Sequence, residues 1–252
     1  MTITPATFLI VCPLLFLAGF VDSIGGGGGL ISLPAYLLAG LPVHRAIATN
    51  KLSSACGTSL SFARFCRRGF VSPKLAVPSV AAALVGSALG ARLSLSVSEE
   101  SMKYILFVVL PAAAFFVLNP HLFRDRGGSA AADGKTLLIA VLSAFFIGGY
   151  DGFYGPGTGT FLIITFTVFA GMSVNAANGQ AKAINLASNV ASLAVYLANG
   201  QVIFLLGLAG AVCNMAGCYL GSGLALSKGT KIVRPVILAV LALLFLKLLL
   251  GF

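Results

Sequence analysis

The chain has 252 residues, of which 58% are hydrophobic and only 9% charged, with a formal net charge of +10. Soluble domains carry about 25% charged residues because water must wet their surface. This chain has too few, which excludes a soluble domain and makes lipid the solvent that fits its surface. Its basic residues lie in short loops between apolar runs, where they orient a membrane protein rather than grip nucleic acid.

In chain order, the start MTITPATFLIVCPLLFLAGF is apolar but has no basic leader and no small-residue cleavage site. It reads as a retained helix rather than a cleaved signal peptide. The apolar stretch 4–41 is interrupted by VDSIGGGGGLISLP (21–34). Runs of the length that a ~30 Å hydrocarbon core requires follow at 45–66, 73–95 and 101–119. A polar linker, 121–135, leads to a second interrupted stretch, 136–172, which carries YDGFYGPGTGTF (150–161). Further runs lie at 178–198, 201–226 and 232–252. Cys12, Cys56, Cys66, Cys213 and Cys218 sit mostly in apolar runs without a C-x-x-C pair, as small buried hydrophobes do. His44 and His121 are expected in loops, as surface residues. No metal site and no cofactor are expected.

The chain repeats itself. A shift of about 131 residues sets AGLPV (39–43) on AGMSV (170–174), Lys51 on Lys182, Gly69 on Gly200, Gly86 on Gly217 and Gly90 on Gly221. Asp22 falls on Asp151 once two residues are allowed for in the glycine segment. Residues 1–120 and 136–252 are therefore two copies within a single membrane domain. Basic loops mark the cytoplasmic side: Arg64, Arg67, Arg68 and Lys74; Arg124, Arg126 and Lys135; Lys228, Lys231 and Arg234. The turns at 92–103 and 198–201 are balanced or uncharged. One threading puts all three basic loops inside. The expected fold is an all-α polytopic membrane protein of two inverted repeats, each a glycine-broken helical hairpin plus three transmembrane helices. Both termini lie outside, and the membrane is the cell inner membrane.

Inverted repeats with broken helices place a substrate site at the midplane, where the breaks meet. Gly25, Gly26, Gly27, Gly28 and Gly29 in the first break, and Gly155, Gly157, Thr158 and Gly159 in the second, precede a half-helix whose free N–H groups and positive dipole end suit an anion. A tight hairpin needing glycine for close packing is the other reading, and both can hold. The first break lacks the G-K-S/T of a P-loop, and no strand precedes it as a dinucleotide-binding turn requires. In the next span, Lys51, Ser54, Thr58 and Ser61 fall at i, i+3, i+7 and i+10, one helix face. Lys182, Asn185, Asn189 and Ser192 take the equivalent positions. A lysine in lipid costs at least ~2.5–3.5 kcal/mol, so it is functional or paired, or it snorkels to the interface. Asp22 and Asp151 are candidates to couple ions, to pair with those lysines, or to cap the following helix. The GxxxG patterns Gly86–Gly90 and Gly217–Gly221 are assigned to close packing, between the repeats or across a homodimer.

With these residues in view, the chain resembles the TauE/SafE family of sulfite and organosulfonate exporters. The resemblance is carried by GFVDSIGGGGGLISLP (19–34), AGLPVHRAIATNKL (39–52), GGYDGFYGPGTGTF (148–161) and AGMSVNAANGQAK (170–182), and it spans nearly the whole length. It implies movement of a small sulfur-containing anion. The first copy has Thr49 and Asn50 before its lysine where the second has Gln180 and Ala181, so the two half-sites differ chemically. The expectation is a secondary transporter of a small anionic substrate working by alternating access in the lipid bilayer, with a proton or cation as the coupling ion. The alternatives are an anion channel and a carrier of a non-sulfur anion. An enzyme ranks far below these, because the sequence has no nucleophile–base or metal constellation.

Overall fold

The computed structural model describes residues 4–105, 108 and 133–228, and the elements among them are all helices. In order they are α1 (Pro5–Gly25), α2 (Gly29–Leu38), α3 (Val43–Arg67), α4 (Pro73–Ser96), α5 (Gly134–Phe153), α6 (Thr158–Val168), α7 (Val174–Ala198) and α8 (Phe204–Lys228). Residues 99–105 are also helical, so the turn expected over 92–103 shrinks to 97–98 and Arg92 belongs to α4. The expected run at 232–252, His121, Arg124, Arg126, Lys231, Arg234 and most of the run at 101–119 lie outside the described residues.

Four of these helices, α1, α4, α5 and α8, are long and apolar enough to cross a membrane. They turn large apolar side chains outward, among them Leu9, Val77, Leu138, Phe146 and Val212. Exposed apolar surface on this scale fits lipid contact. The other long helices, α3 and α7, have 25 residues each and reach ~37 Å. They carry the polar stripes and are largely enclosed, with Lys51, Thr58 and Ser61 of α3 and Lys182, Asn189 and Ser192 of α7 buried. By contrast, α2 and α6 have 10 and 11 residues, ~15 Å each, about half of a hydrocarbon core. Each glycine-broken stretch is thus a long arm followed by a short one.

The pairings between helices are reciprocal. Gly86 and Gly90 of α4 face the backbone of Phe145 and Gly149 of α5, while Gly217 and Gly221 of α8 face Phe16 and Phe20 of α1. The GxxxG patterns therefore pack one copy on the other. In the same way α3 lies on α8 and α4 on α7. The N–H of Ile203 donates to Thr49 Oγ1 (3.1 Å), and Gln180 Nε2 donates to the Ser72 carbonyl (3.0 Å). Ser87 Oγ donates to the Ser188 carbonyl (2.6 Å), and Gly57 lies against Cys218. Each of these contacts becomes its counterpart when the halves are exchanged. A polar seam and small-residue contacts hold them together.

One expectation is corrected here. His44 does not lie in a surface loop. It occupies the first turn of α3 and is buried, because its ring bridges Glu99 (Nδ1 to Oε1, 2.7 Å) and the Ser94 carbonyl (Nε2, 2.9 Å). Glu99 also accepts the N–H groups of Val43 (2.8 Å) and His44 (3.2 Å), satisfying helix-end donors that nothing in the helix can. Burial works to raise the Glu99 pKa, but the hydrogen bonds from the His44 ring and from the two N–H groups outweigh it and hold the carboxyl below its usual range. A depressed folded-state pKa adds stability above the unfolded value, about 4.3 for glutamate, and that stability is lost as pH falls through the folded value. Thermal stability of the purified protein is therefore expected to fall as acid protonates Glu99. Glu99→Gln should lower stability at neutral pH and flatten that acid dependence; a variant with the same pH profile as the parent would refute the clasp.

Candidate functional site

The two breaks meet. Gly26 and Gly27 (φ 77° and 86°) and Gly155 and Gly157 (φ 103° and 85°) are in the left-handed region, where a Cβ is disfavoured. Gly26 backs onto Gly159 and Thr160, Gly29 onto Pro156, and Thr160 Oγ1 donates to the Gly25 carbonyl (3.1 Å). Where the chain leaves each break, α2 and α6 start; the N–H groups of Leu30, Ile31 and Ser32 donate to the Gly27 and Gly28 carbonyls, and those of Thr158 and Phe161 to the Gly155 and Gly157 carbonyls.

Between the breaks lies a small polar cavity of about 30 Å³, measured as the space open to the centre of a water molecule. That is above the ~10–15 Å³ that one water needs. From the first half it is lined by Asp22, Gly27, Gly28, Gly29, Ser32, Asn50, Lys51, Ser54 and Thr58; from the second by Asp151, Gly155, Gly157, Thr158, Gly159, Asn185, Asn189 and Asn214. No apolar side chain is among them. Most of the ionic and amide groups are buried, so the cavity is only partly open.

The charges pair across the halves. Lys51 of α3 meets Asp151 of α5 (Nζ to Oδ2, 2.9 Å), and Lys182 of α7 meets Asp22 of α1 (Nζ to Oδ2, 2.6 Å). Each lysine is eight residues into its helix, ~12 Å from the start, too deep and too enclosed to snorkel. Two ammonium and two carboxylate groups sum to zero. The positive character of the site then rests on the α2 and α6 N-termini and on amide donors. Asp151 is further held by Thr158 Oγ1 (2.9 Å, to Oδ1) and Ser188 Oγ (2.5 Å, to Oδ2). Asp22 receives a long bond from the Gly28 N–H (3.4 Å, to Oδ1).

Four expected site residues do not line the cavity. Gly25 and Gly26 form the junction between the breaks, Lys182 stands behind Asp22, and Gln180 reaches the Ser72 carbonyl between α3 and α4. Ser61 and Ser192 extend the stripes away from the cavity, Ser61 bonding Ser23 (2.6 Å) and Ser192 its own helix. Two lining residues were missed, Ser32 and Asn214. Asn214 is an amide in an apolar span, itself a signal, but the repeat sets it on Ala83 and so offers no second copy. Its Nδ2 donates to the Leu15 carbonyl (3.2 Å), joining α8 to α1. Among the described residues there is no cluster of His, Cys, Asp and Glu able to hold a metal ion.

The profile of the Sulfite exporter TauE/SafE family matches residues 11–248. "Probable membrane transporter protein ORF9" of Sinorhizobium sp is 37% identical over 89% of this chain and 85% of its own length. "Probable membrane transporter protein YfcA" of Escherichia coli K12 is 36% identical over 98% and 91%. A "Probable membrane transporter protein" of Haemophilus influenzae is 34% identical over 88% and 86%. No solved structure matches.

Proposed function

We propose, from the premise that this chain belongs to the Sulfite exporter TauE/SafE family, that it is a secondary transporter of a small anion. Sulfite or an organosulfonate is the first candidate. The family is one of membrane transporters rather than enzymes. The observation that carries the reading is the small polar cavity where two broken helices meet between crossed Lys–Asp pairs. Charged groups at this depth are costly, and where they occur they mark ion and substrate paths. With all four groups ionised the cavity is neutral and gives an anion no net attraction. Protonating one carboxylate releases its lysine and leaves a charge of +1, which a monoanion balances. An anion and a proton would therefore share the site. The buried lining favours a carrier that occludes its cargo over an open channel.

Alternating access follows from inverted repeats, and the helix directions support that arrangement. α3 packs along α7, and Phe70, just past the end of α3, lies against Gly179 near the start of α7, so these two run oppositely. Along α3, Thr49, Gly57 and Arg64 meet Ile203, just ahead of α8, and then Asn214 and Gly223 of α8 in order, so these two run the same way. By the same test α8 runs with α1, and α4 with α5 and α7. By these contacts α1, α3 and α4 oppose α5, α7 and α8, their counterparts in the second half. This threading gathers Arg67, Arg68, Lys74 and Lys135 at one end, which we assign to the cytoplasm, with both termini on the outer face of the inner membrane. The test is flux into proteoliposomes with sulfite, sulfate, sulfoacetate and taurine. Saturable flux of a sulfur oxyanion that depends on a pH gradient is expected. Movement of a cation or neutral solute, with none of the four transported, would overturn the assignment.

A further inference from the structure

We infer that the two aspartates divide the work: Asp22 is the carboxylate that exchanges the coupling proton, and Asp151 is a fixed strut that stays ionised. This rests on the coupled-transporter reading and deepens it. The two half-sites are copies, so a difference between them at one atom is informative. Both oxygens of Asp151 are taken, by Lys51, Thr158 and Ser188, and its side chain is 4% exposed. Asp22 has one strong side-chain partner, Lys182, and only the long Gly28 N–H bond at Oδ1; its side chain is 14% exposed.

The cause is legible in the repeat. The residues that donate hydroxyls to Asp151 have glycine at both equivalent positions: Thr158 aligns with Gly29, and Ser188 with Gly57. A carboxylate that takes a proton turns one oxygen from acceptor to donor and loses the charge that strengthens the bonds to the other. Protonating Asp151 would disturb three short interactions, whereas protonating Asp22 disturbs one.

A second asymmetry lies beside Asp22. Asn178, one turn before Lys182, donates from Nδ2 to the carbonyls of Ser23 (3.3 Å) and Ile24 (3.0 Å). Its Oδ1 is buried without a hydrogen-bond partner. A buried acceptor of that kind calls for water or another donor. The equivalent position in the other half is Ile47, buried and apolar. A buried polar acceptor thus lies next to the end of α1 that carries Asp22, where the other half has an apolar side chain. The ionisable groups around Asp22 are Lys182 on α7, the Cys218 thiol on α8, and Lys51 and Asp151 across the cavity on α3 and α5. The cavity-lining residues of α2 and α6 add none.

The experiment is infrared difference spectroscopy of the purified full chain across a pH titration. The signal is the high-frequency stretching band of a carboxylic acid shielded from water. The band is expected in the parent and in Asp151→Asn, and is expected to vanish in Asp22→Asn. A band that survives Asp22→Asn and disappears in Asp151→Asn, or no titrating band at all, overturns the inference. Should either variant fail to fold, the unmutated protein decides. A hydrophobic carbodiimide, which modifies protonated carboxyls in apolar surroundings, should label Asp22 and spare Asp151 when the adducts are mapped by peptide mass; the reverse pattern refutes the division. Neither readout needs a transported solute. Failure of the sulfite flux assay would therefore sink the substrate assignment while leaving this result standing.

Discussion

Lys51→Ala should abolish anion flux and also destabilise the protein, by about 3–5 kcal/mol, the cost of leaving one partner of a buried ion pair uncompensated. Asp151 would keep the hydroxyls of Thr158 and Ser188 but lose its counter-charge. The double variant Lys51→Met/Asp151→Leu removes both charges and should recover much of the lost stability, since a buried pair replaced by apolar groups is often neutral or stabilising. It should not recover transport. Thermal unfolding of the purified protein, followed by circular dichroism, reads the loss. Normal flux in Lys51→Ala would show that the ammonium serves only to hold the helices. Equal instability of the single and double variants would show that the pair is not the source of the loss.

Gly26→Ala should have the second large effect, and Gly69→Ala is its control. Both glycines have a left-handed backbone, φ 77° and 75°, and there an added Cβ costs ~1–2 kcal/mol of strain. Around Gly69 a Cβ would meet nothing within 4 Å, whereas at Gly26 it would enter the backbone of Gly159 and Thr160. The control should therefore lose only the strain and still transport. The variant should in addition force the two breaks apart, which widens the cavity floor, costs a further ~1–3 kcal/mol of overpacking and stops flux. Equal behaviour of the two would mean that the junction between the breaks is not a tight contact.

Much of the site could be read from local pattern. Periodicity placed Lys51, Ser54 and Thr58 on one face and Asn185 and Asn189 on another, because a helix of 3.6 residues per turn allows little else. All five line the cavity. Gln180 was legible as polar and two residues before Lys182, yet its side chain meets the Ser72 carbonyl instead. His44 was misplaced because a lone histidine near a span end gives no sign that a glutamate 55 residues away will bury it.

Composition, the two glycine breaks, the duplicated organisation and the polar stripes belong to the sequence alone, since each is a sum or a period along the chain. Only the tertiary structure decided which charges meet. A lysine and an aspartate in each half allow pairing within a copy or between copies, and nothing local separates the two. The chain chose pairing between copies because each break is driven against the other half's polar helix, where a buried charge meets an opposite one. The same packing left Asp22 with one strong side-chain partner where Asp151 has three, a difference that two glycines announced but only the assembled site made meaningful.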